Sequence, residues 1–255
     1  MRINKRVINI KKILSLIGSH KRNVFVATAI ITGGLCIAYG FNKVENSVMT
    51  YVPVSNPETP VIVLDAGHGG MDGGCSSVNG TPEKGINLNI LLTLRDMLNA
   101  SGFETDVTRD TDCSIHDEGI RGIANQKSSD MDNRLAKFNE HKNCLCVSIH
   151  QNQFTDDKYS GAQMFYAPTN PKSKNFAQCI QNKFVANLQP DNNREIKECG
   201  KELFLCYYSK NPTVMVECGF LSNAEEAAKL ESEDYQRQVA FTVYSAIVEY
   251  LSETR

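Results

Sequence analysis

Hydrophobic and polar positions alternate in blocks from Pro60 to the end of the chain, and each block keeps one of two periods. "VIVLDA", residues 61–66, is a continuous apolar run of the kind found in a strand covered on both faces. "TPEKGINLNILLTLRDMLNASG" changes period. Ile86, Ile90, Leu91, Leu94 and Leu98 form one helical stripe, with Thr81 as the expected N-cap, Pro82 in the first turn and Gly102 just past the end. "FETDVTR" reads as a short strand, "DMDNRLAKFNEHK" as a helix opened by acidic residues, and "CLCVSIH" as a second buried strand. "GAQMFYA" is a further strand, a helix is expected from Pro171 to Leu188, and "ELFLCYY" and "TVMVECGFL" read as two more strands. "NAEEAAKL" and "DYQRQVAFTVYSAIVEYL" close the chain as helices. The pattern predicts a single α/β domain over residues 60–255, a three-layer sandwich with a central mostly parallel or mixed sheet flanked by helices.

Ahead of it the pattern is different. Residues 1–23 are basic, with seven Lys and Arg and no acid, and "NVFVATAIITGGLCIAYGF" follows without a charge. An apolar stretch of about 18 residues suffices to cross a bilayer, and cations before it hold that end in the cytoplasm. Residues 24–41 are therefore expected to be a transmembrane anchor or a signal peptide, with the body outside the cytoplasm. Ala38-Tyr39-Gly40 is an acceptable cleavage site, whereas the long basic region favours an uncleaved anchor. Residues 42–59, polar with prolines and no sustained period, read as a linker.

Composition narrows the function classes. Apolar content of 41% and charged content of 22% are globular values. Removing the basic head leaves 20 basic against 29 acidic residues, which argues against nucleic acid as a partner. Nine cysteines include no CxxC, so mostly free, buried thiols are expected. Cys144 and Cys146 alternate along a strand and should share its buried face.

Three apolar strands end in a chemically able side chain: His68 after "VIVLDAG", His150 in "VSIHQN" and Glu217 in "VMVECGF". Functional groups of open α/β folds gather beyond the carboxyl ends of strands. Glu83, at the start of the helix after the glycine loop, is a fourth candidate, although a glutamate there also suits the helix dipole. Two imidazoles and a carboxylate are a ligand set of catalytic zinc with one position left open, and a second carboxylate would be free to act as base. No local spacing motif ties the four together.

Taken as whole strings and in order, "VIVLDAGHGGMDGG", "PEKGINL", "VSIHQN" and "VECGFLSN" resemble the zinc-dependent N-acetylmuramoyl-L-alanine amidases called Amidase_3, over residues 60–251. The resemblance implies a Zn2+ ion held by His68, Glu83 and His150, with Glu217 as the catalytic acid and base, cleaving the muramoyl–L-alanine amide of peptidoglycan. Gln151 and Cys218 depart from the usual pattern without touching a ligand. Cys218 is expected on the strand face opposite Glu217. Arg134 is expected to hold a structural carboxylate, with a peptide carboxylate as the alternative, Asp65 to orient a ligand or brace the loop, and Asn152 to brace the loop or meet substrate. His116 and His141 are expected on the surface. "SGAQMFYAPTN" and an anchored domain without wall-binding repeats are similar to the subgroup acting on spore cortex. No insert between His150 and Glu217 is long enough for an autoinhibitory helix, so control would fall to compartment or to a regulatory protein partner. Two alternatives share these residues: a tethered, non-catalytic wall-binding scaffold, and a metallopeptidase cutting within the stem peptide.

Overall fold

The computed structural model describes residues 59–254; the expected basic head, span 24–41 and most of the linker lie outside them. Among the described residues no helix is long and apolar enough to cross a membrane. The strands are β1 (Val61–Ala66), β2 (Thr105–Val107), β3 (Cys144–Asn152), β4 (Gln163–Tyr166), β5 (Lys197–Glu198) and β6 (Thr213–Phe220). The helices are α1 (Glu83–Ala100), α2 (Ile123–Glu140), α3 (Lys172–Asn187), α4 (Phe204–Tyr208), α5 (Ala224–Leu230) and α6 (Glu233–Glu253). The strands form one sheet in the order β2-β1-β3-β6-β4-β5. All neighbours run parallel except β4 against β6, so the expected mixed sheet is observed.

The two faces of the sheet are covered unequally, and this positions the site. Ile62, Leu64, Ala66, Leu145, Val147, Ile149, Val214, Val216 and Cys218 point to one face, into a large core closed by Ile90, Leu94, Phe176, Ile180, Val243 and Ile247 from α1, α3 and α6. The alternate positions point to the other face, where α2 and the short α4 cover two small clusters: Val63, Phe138, Cys144, Cys146 and Leu205 in one, and Ala167, Cys199, Cys206 and Met215 in the other. With a side-chain period of two, Asp65, Ser148, His150, Met215 and Glu217 all fall on this thinly covered face. Cys218 is buried in the large core, away from Glu217, as the alternation requires.

Three local expectations change. "ELFLCYY" contains the helix α4, not a strand; an apolar run this short carries no period to choose by, and the edge position beside β4 is taken by the polar β5. Helix α2 begins at Ile123, seven residues before Asp130, because Ser129 and Asp130 in its third turn anchor the preceding loop through Asp117 N, Ser114 Oγ and Ile115 N. Thr81 does not cap α1. The N–H groups of Glu83 and Lys84 donate to the carbonyls of Cys75 and Gly73, so the glycine loop satisfies them. Most of the cysteines are free thiols as expected, namely Cys75, Cys113, Cys144, Cys146, Cys179 and Cys218, while Cys199 and Cys206 form a disulfide.

Leu94 lies at the centre of the α1 stripe and is fully buried. Leu94→Ala is expected to lower unfolding free energy by about 2–5 kcal/mol through lost burial and a residual cavity. Denaturant melts should show a lower midpoint with an unchanged slope.

Candidate active site

A cleft of ≈ 530 Å³ opens at the carboxyl ends of the parallel strands, and His68, Glu83, His150 and Glu217 all line it. The β3–β6 register sets His150 directly beside Glu217. Glu83 arrives from the first turn of α1, and His68 from the loop after β1. Glu83 Oε2 lies 3.3 Å from His68 Nε2, and Glu83 Oε1 lies 3.1 Å from His150 Nδ1. The two rings meet edge to face with centroids 5.0 Å apart. One donor atom from each of these three residues lies within 4.8 Å of the others.

Glycine makes this convergence possible at two points. A β-carbon on Gly67 would sit 2.1 Å from His150 Cε1, so the space freed there is filled by the second imidazole. Gly74 has φ +71°, and a β-carbon on it would lie 2.6 Å from both Glu83 Oε2 and His68 Cδ2. His68 itself is held at φ 66°, a left-handed conformation that costs a non-glycine residue roughly 1–2 kcal/mol. Two contacts hold it there. Arg134 Nη2 donates to the His68 carbonyl at 2.7 Å, and Asp72 Oδ2 lies 2.9 Å from His68 Nδ1.

Glu83 is nearly fully buried and restrained on both oxygens. Oε1 accepts from Gln151 N at 2.9 Å and Asn87 Nδ2 at 3.0 Å, and Oε2 accepts from Cys75 N at 3.0 Å. Burial alone would raise its carboxyl, but the imidazoles of His150 and His68 outweigh that and hold it well below the usual range. Burial opposes the charged form of His150, and the Glu83 carboxylate overrides it, raising the ring to about 9. Glu217 behaves oppositely. Burial, aided by the charge of Glu83 and opposed by the imidazoles, pushes its carboxyl up to about 7. Its Oε2 is buried without a hydrogen-bond partner among the described residues. An unpaired carboxylate oxygen beside two imidazole nitrogens and a restrained carboxylate fits a site for a divalent cation and a water-derived reactant.

Asp65 does not orient either imidazole. It braces the loop, accepting from Arg134 Nη1 at 2.6 Å, Ser148 Oγ at 2.6 Å and Thr108 Oγ1 at 2.7 Å. Arg134 holds structural carboxylates as expected, since its Nε also donates to Asp130 at 2.7 Å. The carboxylate on the His68 ring is Asp72, which the sequence reading passed over; its i,i+4 spacing from His68 inside the glycine run is the available signal. Lys127 pairs with the other oxygen of Asp72 at 2.8 Å. Asn152 lines the cleft, and its carbonyl accepts from Leu221 N. His116 and His141 are half-buried outside the cleft, bonded to Ser114 and Asp106.

An open α/β sheet whose strand ends bring two imidazoles and two carboxylates into one cleft has the form of a metal-dependent hydrolase. The chain belongs to the N-acetylmuramoyl-L-alanine amidase family, Amidase_3, whose model matches residues 62–249, and its activity is hydrolysis of that amide in cell-wall peptidoglycan. It is 34% identical over 194 residues to the germination-specific N-acetylmuramoyl-L-alanine amidase of Bacillus subtilis strain 168, covering 76% of this chain and 80% of that one. Among solved structures it resembles the CwlD amidase from Clostridioides difficile in complex with the GerS lipoprotein, with TM-score 0.72, 37% identity and coverage of 76% and 98%. It also resembles an N-acetylmuramoyl-L-alanine amidase from Clostridium difficile 630, with TM-score 0.66, 27% identity and the same coverage.

The buried Asp65–Arg134 pair gives a stability prediction with a definite sign. Burial would raise the Asp65 carboxyl, but Arg134, with His150 and the hydroxyls of Ser148 and Thr108, holds it below its ordinary value. A lowered native pKa contributes stability above the unfolded value of about 3.9, and that contribution is lost as pH falls through the native value. Asp65→Asn is expected to destabilise the protein near neutral pH by about 3 kcal/mol, the low end for a broken buried pair because Asp130 still holds Arg134. Unfolding free energy measured from neutral pH to below 4 should also fall less steeply in the variant.

Proposed function

We propose that this chain is a zinc amidase in which His68, Glu83 and His150 hold the ion and Glu217 is the general base and acid. The supporting observation is the meeting of these four groups in one cleft, with Glu217 Oε2 buried and unpartnered there. Bound at that donor set, zinc would supply Lewis-acid polarisation of the substrate and a water that ionises near neutral pH. Asp72 accepts the Nδ1 proton of His68, which leaves the Nε2 lone pair directed into the cleft. Asn87, Gln151 N and Cys75 N fix Glu83 as an ionised, immobile ligand. Glu217 accepts a proton from the attacking water and returns it to the departing L-alanine nitrogen, which cannot leave as an anion.

The proposal extends to location and partners. Residues 1–23 lie in the cytoplasm, 24–41 anchor or direct the chain, 42–59 are a linker, and the catalytic domain, 60–255, faces peptidoglycan outside. Similarity to a germination-specific amidase supports spore cortex as the substrate. A relative solved with a lipoprotein supports a regulatory protein partner.

The purified protein should release stem peptides with free L-alanine amino termini from peptidoglycan, read by mass spectrometry, and chelation should abolish this. Cleavage inside the stem peptide, or no bound divalent ion, would overturn the reading. Glu217→Gln is expected to lower kcat by roughly 10²–10⁴-fold while ion uptake persists, whereas His68→Ala should lose both. Asp72→Asn is expected to weaken ion affinity by about 10–100-fold, read by competition with a chromogenic chelator.

A further inference from the structure

Arg109 lies two residues past the end of β2 and is 2% exposed, yet among the described residues it makes no ion pair. All the acceptors of its guanidinium are backbone carbonyls. Nε donates to Ala66 O at 2.9 Å, Nη1 to Thr111 O at 3.1 Å, and Nη2 to both Gly67 O at 3.0 Å and Lys84 O at 2.8 Å. Gly67 immediately precedes His68, and Lys84 immediately follows Glu83. One nitrogen therefore ties the two chain segments that carry these groups, which flank the glycine run from Gly69 to Gly74. The neighbouring Asp112 adds a second tie, accepting from Gly70 N at 2.8 Å and from Lys84 Nζ at 2.7 Å.

We propose that Arg109 is a positioning residue that sets the spacing of His68 and Glu83 and, through it, the affinity and geometry of the divalent-ion site. The inference rests on those residues being ligands. A planar fork with a fixed separation of donors is suited to this task, and a lysine, with one flexible nitrogen, reproduces only part of it. Arg134 differs in kind. It neutralises Asp65 and Asp130, so its loss would strand buried charge, whereas removing Arg109 strands none. Two of the carbonyls it binds keep other donors: Ala66 O accepts from Arg134 Nη1, and Gly67 O from Asn87 Nδ2. Loss of Arg109 should accordingly loosen the site more than the fold.

The test compares the full chain with its Arg109→Gln and Arg109→Lys variants by four readouts. These are Zn2+ dissociation constant by chelator competition, the visible absorption spectrum of the Co2+-loaded protein, kcat and KM on peptidoglycan, and thermal melting without metal. Arg109→Gln is expected to fold, to bind Zn2+ about 10–100-fold more weakly, and to show an altered Co2+ spectrum. Its kcat should fall by a similar factor at subsaturating metal while KM stays within about twofold, the split expected when substrate contacts are untouched. Arg109→Lys should lie between the two. A folded Arg109→Gln with wild-type Zn2+ affinity and Co2+ spectrum overturns the proposal. If Arg109→Gln does not fold, Arg109→Lys decides by the same criteria, and failure of both to fold makes Arg109 a structural residue and also overturns it. A wild-type protein that takes up neither ion defeats the zinc reading itself, an outcome distinct from equal affinity across the series.

Discussion

The register between β3 and β6 places His150 against Glu217, and nearly everything in the cleft depends on that pairing. It is fixed from the opposite face of the sheet. Val147 lies beside Val214 and Ile149 beside Val216, and all four are buried in the large core. A slip of one residue would turn this apolar set toward the cleft and send Glu217 into the core in place of Cys218. Hydrophobic burial on one side thus dictates which polar groups meet on the other. The bulge between His150 and Asn152 then ends the regular pairing, and beyond it Asn152 lies opposite Phe220.

A strand-end site must also keep an awkward loop in place. Residues 67–74 turn through several left-handed conformations, and His68 adopts one without being glycine. The compensation comes from buried guanidinium groups donating to loop carbonyls, Arg134 to Ala66 and His68, Arg109 to Ala66 and Gly67. Charge-assisted bonds to carbonyls are stronger than neutral ones, and burial keeps water from competing for them. Asp65, in turn, pairs with Arg134 at 2.6 Å and fixes where its guanidinium lies.

The strands carrying the chemistry were legible because their apolar runs are continuous and each ends abruptly in His or Glu. Strand alternation alone also put Cys218 opposite Glu217. What escaped was set by tertiary contacts. Strand β5 is two exposed polar residues, recognisable only by its hydrogen bonds to β4. The first turns of α2 have no apolar stripe, and the helix is tied through Ser129 and Asp130 to the loop that precedes it. Asp65 and Asp72 are both aspartates close to His68 in sequence, yet chain direction gives the ring to Asp72 and the guanidinium to Asp65. Arg109 gave no signal because its partners are carbonyls, which every residue possesses.

The cleft's electrostatics follow from the same asymmetry between faces. Two carboxylates, Glu83 and Glu217, share a small space, and only Glu83 is given hydrogen-bond donors from the backbone and from Asn87. Their environments therefore diverge: Glu83 stays ionised, while burial and the charge of Glu83 lift Glu217 to about 7. Paired acids pushed apart in this way divide the work between a fixed anion and a group that exchanges protons. On the proposed reading a dication would oppose the burial of Glu217 and draw its pKa down again, so that it is ionised when water must be deprotonated. Burial without the ion would leave Glu217 half protonated near neutral pH, and the ion without burial would leave a base too weak to take the proton. The covering of this face by α2 and α4 is what makes the burial possible: Arg134 of α2 and Phe204 and Leu205 of α4 wall the cleft in which Glu217 sits.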